Sequence, residues 1–322
     1  MVNSARRRVR AAVLHSFRDP FSVEETEVEV PDDWVEVEVK AVGICGRDIV
    51  VWKGGFRNLK TPLILGHEVY GTYNGKPVGV FPAIVPRECT TKLGNALECP
   101  YMVLGENSPG GYADKVYVPP WILVELPDRE YEKYAAAVCG VATMLHAARV
   151  AGVKAGDKVL VTGASGGVGI HGLQLLKLLG AKVYAYTRSE EKARILRSLG
   201  VEAVTDLSFY KSEGRVDSVM ELVGARTIND SMRTLRPGGH LVLIGNITGE
   251  RILIERPALF VMREIHIHGS AAYNMAEYKA AIEIVSRGAI KPFYKTYKLE
   301  DINIAYKDAL EGRLLGRAVL TP

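Results

Sequence analysis

Cysteine is scarce in this chain of 322 residues: Cys45, Cys89, Cys99 and Cys139 are the whole complement. They are too few and too dispersed for the disulfide framework of a small secreted protein. Long apolar runs are missing as well. No stretch reaches the roughly 18 uninterrupted apolar residues of a membrane-spanning helix, so no membrane partner is expected. Nor is there an excess of one charge. The net charge is only +4, and lysine and arginine are scattered apart from Arg6-Arg-Arg-Val-Arg10. That cluster precedes an apolar strand pattern, Ala11-Ala-Val-Leu14. It reads as a solvated N-terminal arm, with no nucleic-acid contact expected. The segment also lacks the apolar core of a signal peptide, and the expected location is the cytoplasm. No Pro-, Gly- or Ser-rich linker and no internal repeat divides the chain. What is present is ordinary globular composition, 48% hydrophobic and 24% charged, in a length that suits two domains with their own cores.

The most informative stretch is Lys158-Val-Leu-Val-Thr-Gly-Ala-Ser-Gly-Gly-Val-Gly169. An apolar run ends at Gly163, a glycine-rich turn follows, and apolar residues then recur at helical spacing from Val168 to Leu179. This is the strand, turn and helix of a phosphate-binding loop. Small residues let backbone N–H groups approach a pyrophosphate, and the helix N-terminus adds partial positive charge. Ala164 stands between Gly163 and Ser165, so only Gly166 and Gly169 fill the second and third glycine places of the dinucleotide fingerprint. The expected cofactor contacts are Gly163, Ser165, Gly166, Gly167, Val168 and Gly169. Downstream, strand and helix patterns alternate: Lys182–Tyr186, Glu190 to Leu199 capped by Ser189, Val201 to Val204, Val216 to Val223, Thr227 to Leu235, His240 to Ile244 and Glu264 to His268, with a turn at Arg236-Pro-Gly-Gly239. Such alternation predicts a doubly wound parallel sheet.

Upstream the pattern is different. Val35, Val37 and Val39 alternate with Glu36, Glu38 and Lys40, predicting a strand with one buried face. It delivers Gly43-Ile-Cys-Gly-Arg-Asp48 at its end, and a second apolar run delivers Gly66-His-Glu68. Short strands and glycine turns continue through Gly79-Val-Phe-Pro82 and Gly110 to Val118, a mostly β flank. Cys139 follows in a segment of small residues, with Thr143 one helical turn later. Cysteine thiolates and an imidazole are zinc-binding groups, although a single buried cysteine is more often an inert apolar residue.

The ordered set Gly-Ile-Cys-Gly-x-Asp, Gly-His-Glu, Cys-x-x-x-Thr and Gly-x-x-Gly-Gly-Val-Gly resembles the zinc-dependent medium-chain alcohol dehydrogenase family from about Ala11 to the C-terminus. The resemblance implies a Rossmann sheet domain over residues 126–268 and a mostly β, GroES-like catalytic domain, discontinuous in sequence, over 1–125 and 269–322. It implies one catalytic zinc held by Cys45, His67 and Cys139; alcohol dehydrogenase is itself the standard instance of a Cys₂His catalytic site. Asp48 would accept the second N–H of His67 and fix its tautomer. Glu68 is either a further ligand or, as preferred here, a neighbour of the three direct ligands. Thr143 and the Gly245-Asn246 loop correspond to positions lining the nicotinamide, and Arg317 to a basic residue near the cofactor pyrophosphate. Family members are dimers or tetramers, so a homotetramer or homodimer is expected.

Two departures stand out. Where the family usually carries Ser or Thr, starting a proton relay, this chain has Arg47, which cannot take up a proton at ordinary pH. Three roles are open to it: binding an acidic substrate group, binding cofactor phosphate, or turning to solvent. The second departure is the stretch from Pro86 to Cys99. Only Cys89 and Cys99 remain where many relatives hold a structural zinc with four ligands, and Glu88 and Glu98 are the other donors nearby. No structural zinc is expected; the two cysteines are read as free thiols or a disulfide.

Cofactor choice is read at the end of the second strand. NAD-specific sites place a carboxylate there for the ribose 2′-hydroxyl. This chain has Thr187-Arg-Ser189 with Lys192 one turn on; Arg188 suits a 2′-phosphate, and NADP(H) is expected. Trp52, Phe56 and Phe81 are expected to line an apolar pocket suited to bulky or cyclic substrates. The function these features imply is hydride transfer between NADP(H) and an alcohol, ketone or aldehyde. The alternatives are a quinone or enoyl reductase of the zinc-free type, and a cofactor-binding protein with little turnover.

Overall fold

The computed structural model describes residues 4–90, 100–246 and 249–322. The chain forms two compact units, Met1–Val138 with Asn274–Pro322, and Cys139–Tyr273.

In the first unit the strand Val35–Ile44 is central. Val37, Val39 and Ala41 are buried and Glu36, Glu38 and Lys40 exposed, as the alternation requires. It pairs antiparallel with Glu68–Tyr73 on one side and Arg317–Thr321 on the other, and with Lys115–Val118 at its start. The register sets Gly43 opposite both Glu68 and Val319, and Ile44 opposite Ala318. The C-terminal strand thereby flanks the strand that leads into Cys45.

The N-terminal basic cluster is not a solvated arm. It lies within the strand Ser4–Leu14, which pairs with Ser22–Pro31. The two strands have complementary charge: Arg6 faces Glu29, Arg8 faces Glu27 and Arg10 faces Glu25. Opposite charges across a strand pair stabilise it modestly, and residues 6–8 remain exposed, which is why the segment reads as solvated.

The second unit contains a six-stranded parallel sheet in the order Glu202–Val204, Lys182–Tyr186, Lys158–Val161, Val216–Glu221, Leu235–Leu243, His266–Gly269. This is the strand order of a dinucleotide-binding fold. Its core is built from Leu160, Tyr184, Val219, Met232 and Leu241, each contributing about 1.5–3 kcal/mol on full burial. The expected turn at 236–239 is an irregularity inside a strand: Val216 pairs with Leu235 but Ser218 with His240, so the intervening residues loop out, with Gly238 at φ +69°. Helix Tyr131–Ala151 is long and apolar enough to cross a membrane, but most of it is buried within the fold. It serves as a core helix.

Candidate active site

Two strand ends and a helix place the candidate metal-binding groups. Cys45 ends the central strand and begins the short helix Gly46–Trp52. His67 directly precedes the strand Glu68–Tyr73, and Cys139 lies in helix Tyr131–Ala151. All four side chains of Cys45, His67, Glu68 and Cys139 are buried, and their ligand atoms lie within 4.8 Å of one another. Neither Cys45 nor Cys139 is in a disulfide. Cys89 is disulfide-bonded; Glu98 and Cys99 lie outside the described residues. Thr143 is buried, its hydroxyl 4.0 Å from the Cys139 sulfur.

Asp48 organises the cluster. Its Oδ1 accepts the His67 Nδ1–H at 2.9 Å, leaving Nε2 as the nitrogen available to a metal. Oδ2 accepts the Cys45 backbone N–H at 2.8 Å and the Tyr112 hydroxyl at 3.1 Å. Burial opposes a charge on His67, but Asp48 and the Cys45 sulfur more than offset it and hold the imidazole well above its ordinary range. A cation would compete with that proton.

Glu68 has a partner that the sequence did not disclose. Arg317 Nη2 lies 3.0 Å from Glu68 Oε1, both side chains being buried, and Arg317 Nη1 donates to the Ile44 carbonyl at 3.2 Å. Gly43 explains the room. A Cβ there would sit 2.0 Å from Glu68 Oε2 and 2.4 Å from the Ala135 carbonyl oxygen. The structure therefore gives the Arg317 guanidinium, expected at the cofactor pyrophosphate, a carboxylate and a carbonyl within its own unit.

Of the three roles open to Arg47, the structure favours none that leaves the side chain loose. Its guanidinium meets Glu106 through both oxygens, Nη2 to Oε2 being 3.0 Å, and lies 5.0 Å above the Phe56 ring. Trp52 donates its ring N–H to the Asp19 carbonyl at 2.8 Å and leans on Tyr306. Phe81 is buried edge-on against Tyr278, a core contact rather than a wall open to solvent. Phe56 carries the Arg47 guanidinium over its ring.

The glycine-rich turn has the expected form. Gly166 caps helix Gly167–Leu178, so the amides of Gly167, Val168 and Gly169 have no acceptor in the helix. A Cβ on Gly169 would lie 2.4 Å from the Gly163 carbonyl oxygen, whereas one on Gly166 would meet protein only at 3.4 Å. Gly169 thus serves helix-to-strand packing, and Gly166 leaves open space for a ligand's approach. Ser165 is half-buried at the tip. At the next strand end Thr187 is buried and Ser189 caps helix Glu190–Ser198 through the Lys192 amide. Burial draws the Lys192 ammonium below its usual range. Arg188 is exposed, with no ion pair or hydrogen bond among the described residues. Gly245 abuts the Leu222 carbonyl, and Asn246 donates to the Glu250 carbonyl at 2.8 Å.

Sequence reasoning missed Tyr112, Tyr306, Glu106 and Glu221. Only Gly66 offers a hint: it sits at φ +95°, where a Cβ would be 2.4 Å from the Tyr112 ring. A glycine beside His67 marks a close approach without naming what approaches.

Comparisons with known proteins agree with this geometry. An alcohol dehydrogenase GroES-like domain model matches residues 31–128 and a zinc-binding dehydrogenase model residues 167–287. An acryloyl-coenzyme A reductase of Sulfurisphaera tokodaii is 31% identical over 98% of this chain and 100% of its own length. The chain belongs to the zinc-type medium-chain dehydrogenase/reductase family. An alcohol dehydrogenase of Geobacillus stearothermophilus is 27% identical, covering 97% of this chain and 99% of that one. The solved structure of a cobalt- and zinc-bound thermostable alcohol dehydrogenase from Pyrobaculum aerophilum superposes with a TM-score of 0.87 at 28% identity, over 98% of this chain and 100% of the other. Membership makes the protein an oxidoreductase with the Rossmann and GroES-like folds of that family.

Proposed function

We propose that the protein is a zinc-dependent oxidoreductase that interconverts an alcohol with its ketone or aldehyde using NADP(H), as a homo-oligomer. The carrying observation is the buried quartet Cys45, His67, Glu68 and Cys139 with its ligand atoms within 4.8 Å. Two sulfurs and an imidazole nitrogen suit zinc, and Asp48 already holds the His67 ring by its other nitrogen, as ligand histidines require. Cys45, His67 and Cys139 would hold the ion. Glu68, engaged by Arg317, would remain beside them as a fixed negative charge. Bound there, zinc supplies Lewis acidity to the substrate oxygen, and the nicotinamide dinucleotide supplies or accepts hydride.

The chain's own groups do the rest. Gly166 and the first-turn amides of helix Gly167–Leu178 receive pyrophosphate, and the exposed Arg188 with Lys192 receives a 2′-phosphate. Asp48 orients His67. Thr143 stands beside Cys139 where the nicotinamide is expected. Arg47, tied to Glu106 and laid on Phe56, fills the place of a relay hydroxyl, so the substrate proton reaches solvent through other groups. The test is metal analysis with chelation. About one zinc per chain of this kind, with NADPH-linked turnover lost on chelation and restored by zinc, is expected; full turnover by metal-free protein overturns the reading.

A second reading is supported by the acryloyl-coenzyme A reductase relative and by the missing relay hydroxyl at Arg47. In it the protein reduces a carbon–carbon double bond conjugated to a thioester, where no alcohol proton needs a relay. Side-by-side NADPH oxidation with acryloyl-coenzyme A and with a panel of aldehydes, ketones and quinones separates the two. Turnover confined to the thioester replaces the first reading by the second.

A further inference from the structure

Behind His67 lies a run of buried polar groups longer than a metal ligand needs. Asp48, Tyr112 and Tyr306 are 3%, 0% and 3% exposed. The Tyr112 hydroxyl is 3.1 Å from Asp48 Oδ2 and 3.3 Å from the Tyr306 hydroxyl. The direction of each bond follows from counting protons. A carboxylate only accepts, so Asp48 takes the His67 N–H on one oxygen and the Cys45 N–H and Tyr112 O–H on the other. Tyr112 has a single proton and spends it on Asp48; its oxygen must therefore accept from Tyr306. Burial and the nearby Asp48 hold both phenols well above their ordinary range, so both keep the protons that this order requires.

The rings are fixed as firmly as the hydroxyls. Tyr112 packs on Gly66, the residue before His67. Tyr306, from helix Ile302–Leu310, stands 4.7 Å from Phe21, 6.1 Å from Trp52 and 6.3 Å from Tyr112 between ring centroids. The Asn303 amide clamps that helix to the Phe21 backbone by two bonds of 2.9 and 3.0 Å. The chain's C-terminal segment thus reaches the metal ligand through two phenols.

We propose that Tyr112 and Tyr306 are positioning residues of the metal centre, forming a one-way hydrogen-bond chain, Tyr306 to Tyr112 to Asp48, that fixes the carboxylate holding His67. The inference rests on the zinc reading of Cys45, His67 and Cys139. Partners of ligand histidines typically govern metal affinity by 10–100-fold; Tyr112, one bond further out, acts at about the lower end of that range. Tyr306 acts only through Tyr112, so its removal has a smaller effect and adds nothing once Tyr112 is gone.

The test measures zinc affinity of the full chain by competition with a chromophoric chelator, for wild type, Tyr112→Phe, Tyr306→Phe and the double variant. The thiolate and d–d bands of the cobalt(II)-substituted proteins are recorded alongside, with unfolding midpoints of the metal-free forms. Phenylalanine keeps both rings in place, so the expected result is an approximately tenfold weaker zinc site in Tyr112→Phe, a shifted cobalt spectrum, and a double variant equal to Tyr112→Phe. Should Tyr112→Phe fail to fold, Tyr306→Phe carries the test through a smaller shift in the same two readouts. Unchanged affinity and spectrum, or losses that simply add, overturn the proposal while leaving the zinc site standing. Wild-type protein that binds no zinc overturns both.

Discussion

Glu68 and Arg317 meet across Gly43, at 3.0 Å and out of contact with water. Their strands flank the one that leads into Cys45, so the pair joins both sides of that strand beside the candidate metal site. Breaking a buried ion pair from one side leaves an unpaired charge and costs about 3–5 kcal/mol. Arg317→Ala should therefore lose stability of that order in urea unfolding, while Glu68→Gln with Arg317→Met should recover much of it. Equal stability of Arg317→Ala and wild type would show that the two side chains do not depend on each other.

Arg188 is the exposed cation at the end of strand Lys182–Tyr186, where a carboxylate would mark an NAD site. Loss of one charge-assisted contact to phosphate costs about 1.5–3 kcal/mol, or roughly tenfold to a hundredfold in affinity. Arg188→Ala should raise the KM for NADPH by that factor and leave the KM for NADH and both kcat values nearly unchanged. A variant with undiminished preference for NADPH would assign the choice to other residues.

Legibility in the sequence divided along a physical line. Cys45, His67 and the glycine turn stood out because each couples a chemically distinctive residue to a strand end, and local periodicity locates strand ends, whereas Cys139 sits inside a helix. The contacts that Tyr112, Tyr306 and Arg317 make were not readable. Their partners lie in remote segments, with 194 residues separating Tyr112 from Tyr306, and only strand register and tertiary packing bring them together. Residues 4–10 show the converse. Their arginines look solvated, and they are, but the pairing that makes them a strand is written in Glu25, Glu27 and Glu29 on the neighbouring strand.

Glu221 illustrates the same limit in the nucleotide unit. Fully buried, it accepts from Thr162, Thr227 and Ser231 hydroxyls at 2.7, 2.6 and 2.7 Å and from the Val223 and Gly224 amides at 3.0 Å. These bonds set the loop that borders Gly163 and Gly245. Glu221→Gln preserves an oxygen for four of the five donors and should cost about 1 kcal/mol. Glu221→Leu strands them all, each at about 1–3 kcal/mol, and should weaken NADPH binding, followed by nucleotide fluorescence, as well as stability. Similar behaviour of the two variants would deny the loop this anchor.

Asp308 supplies a pH signature away from the site. The Tyr297 hydroxyl at 2.7 Å and the Lys295 ammonium at 3.0 Å, with Arg313 at 3.3 Å on the other oxygen, pull its carboxyl down to about 2. A carboxyl depressed in the folded state stabilises the fold above its unfolded value, about 3.9, and that contribution disappears as pH falls through the folded value. Wild type should thus be more stable than Asp308→Asn at pH 7, with the gap closing between about pH 4 and pH 2. Lys295 and Arg313 are largely exposed, so most of the effect belongs to Tyr297, and Tyr297→Phe should reproduce the greater part of it. Urea unfolding across that range checks the sign: a gap that stays constant with pH would mean that Asp308 matters through packing and not through its charge.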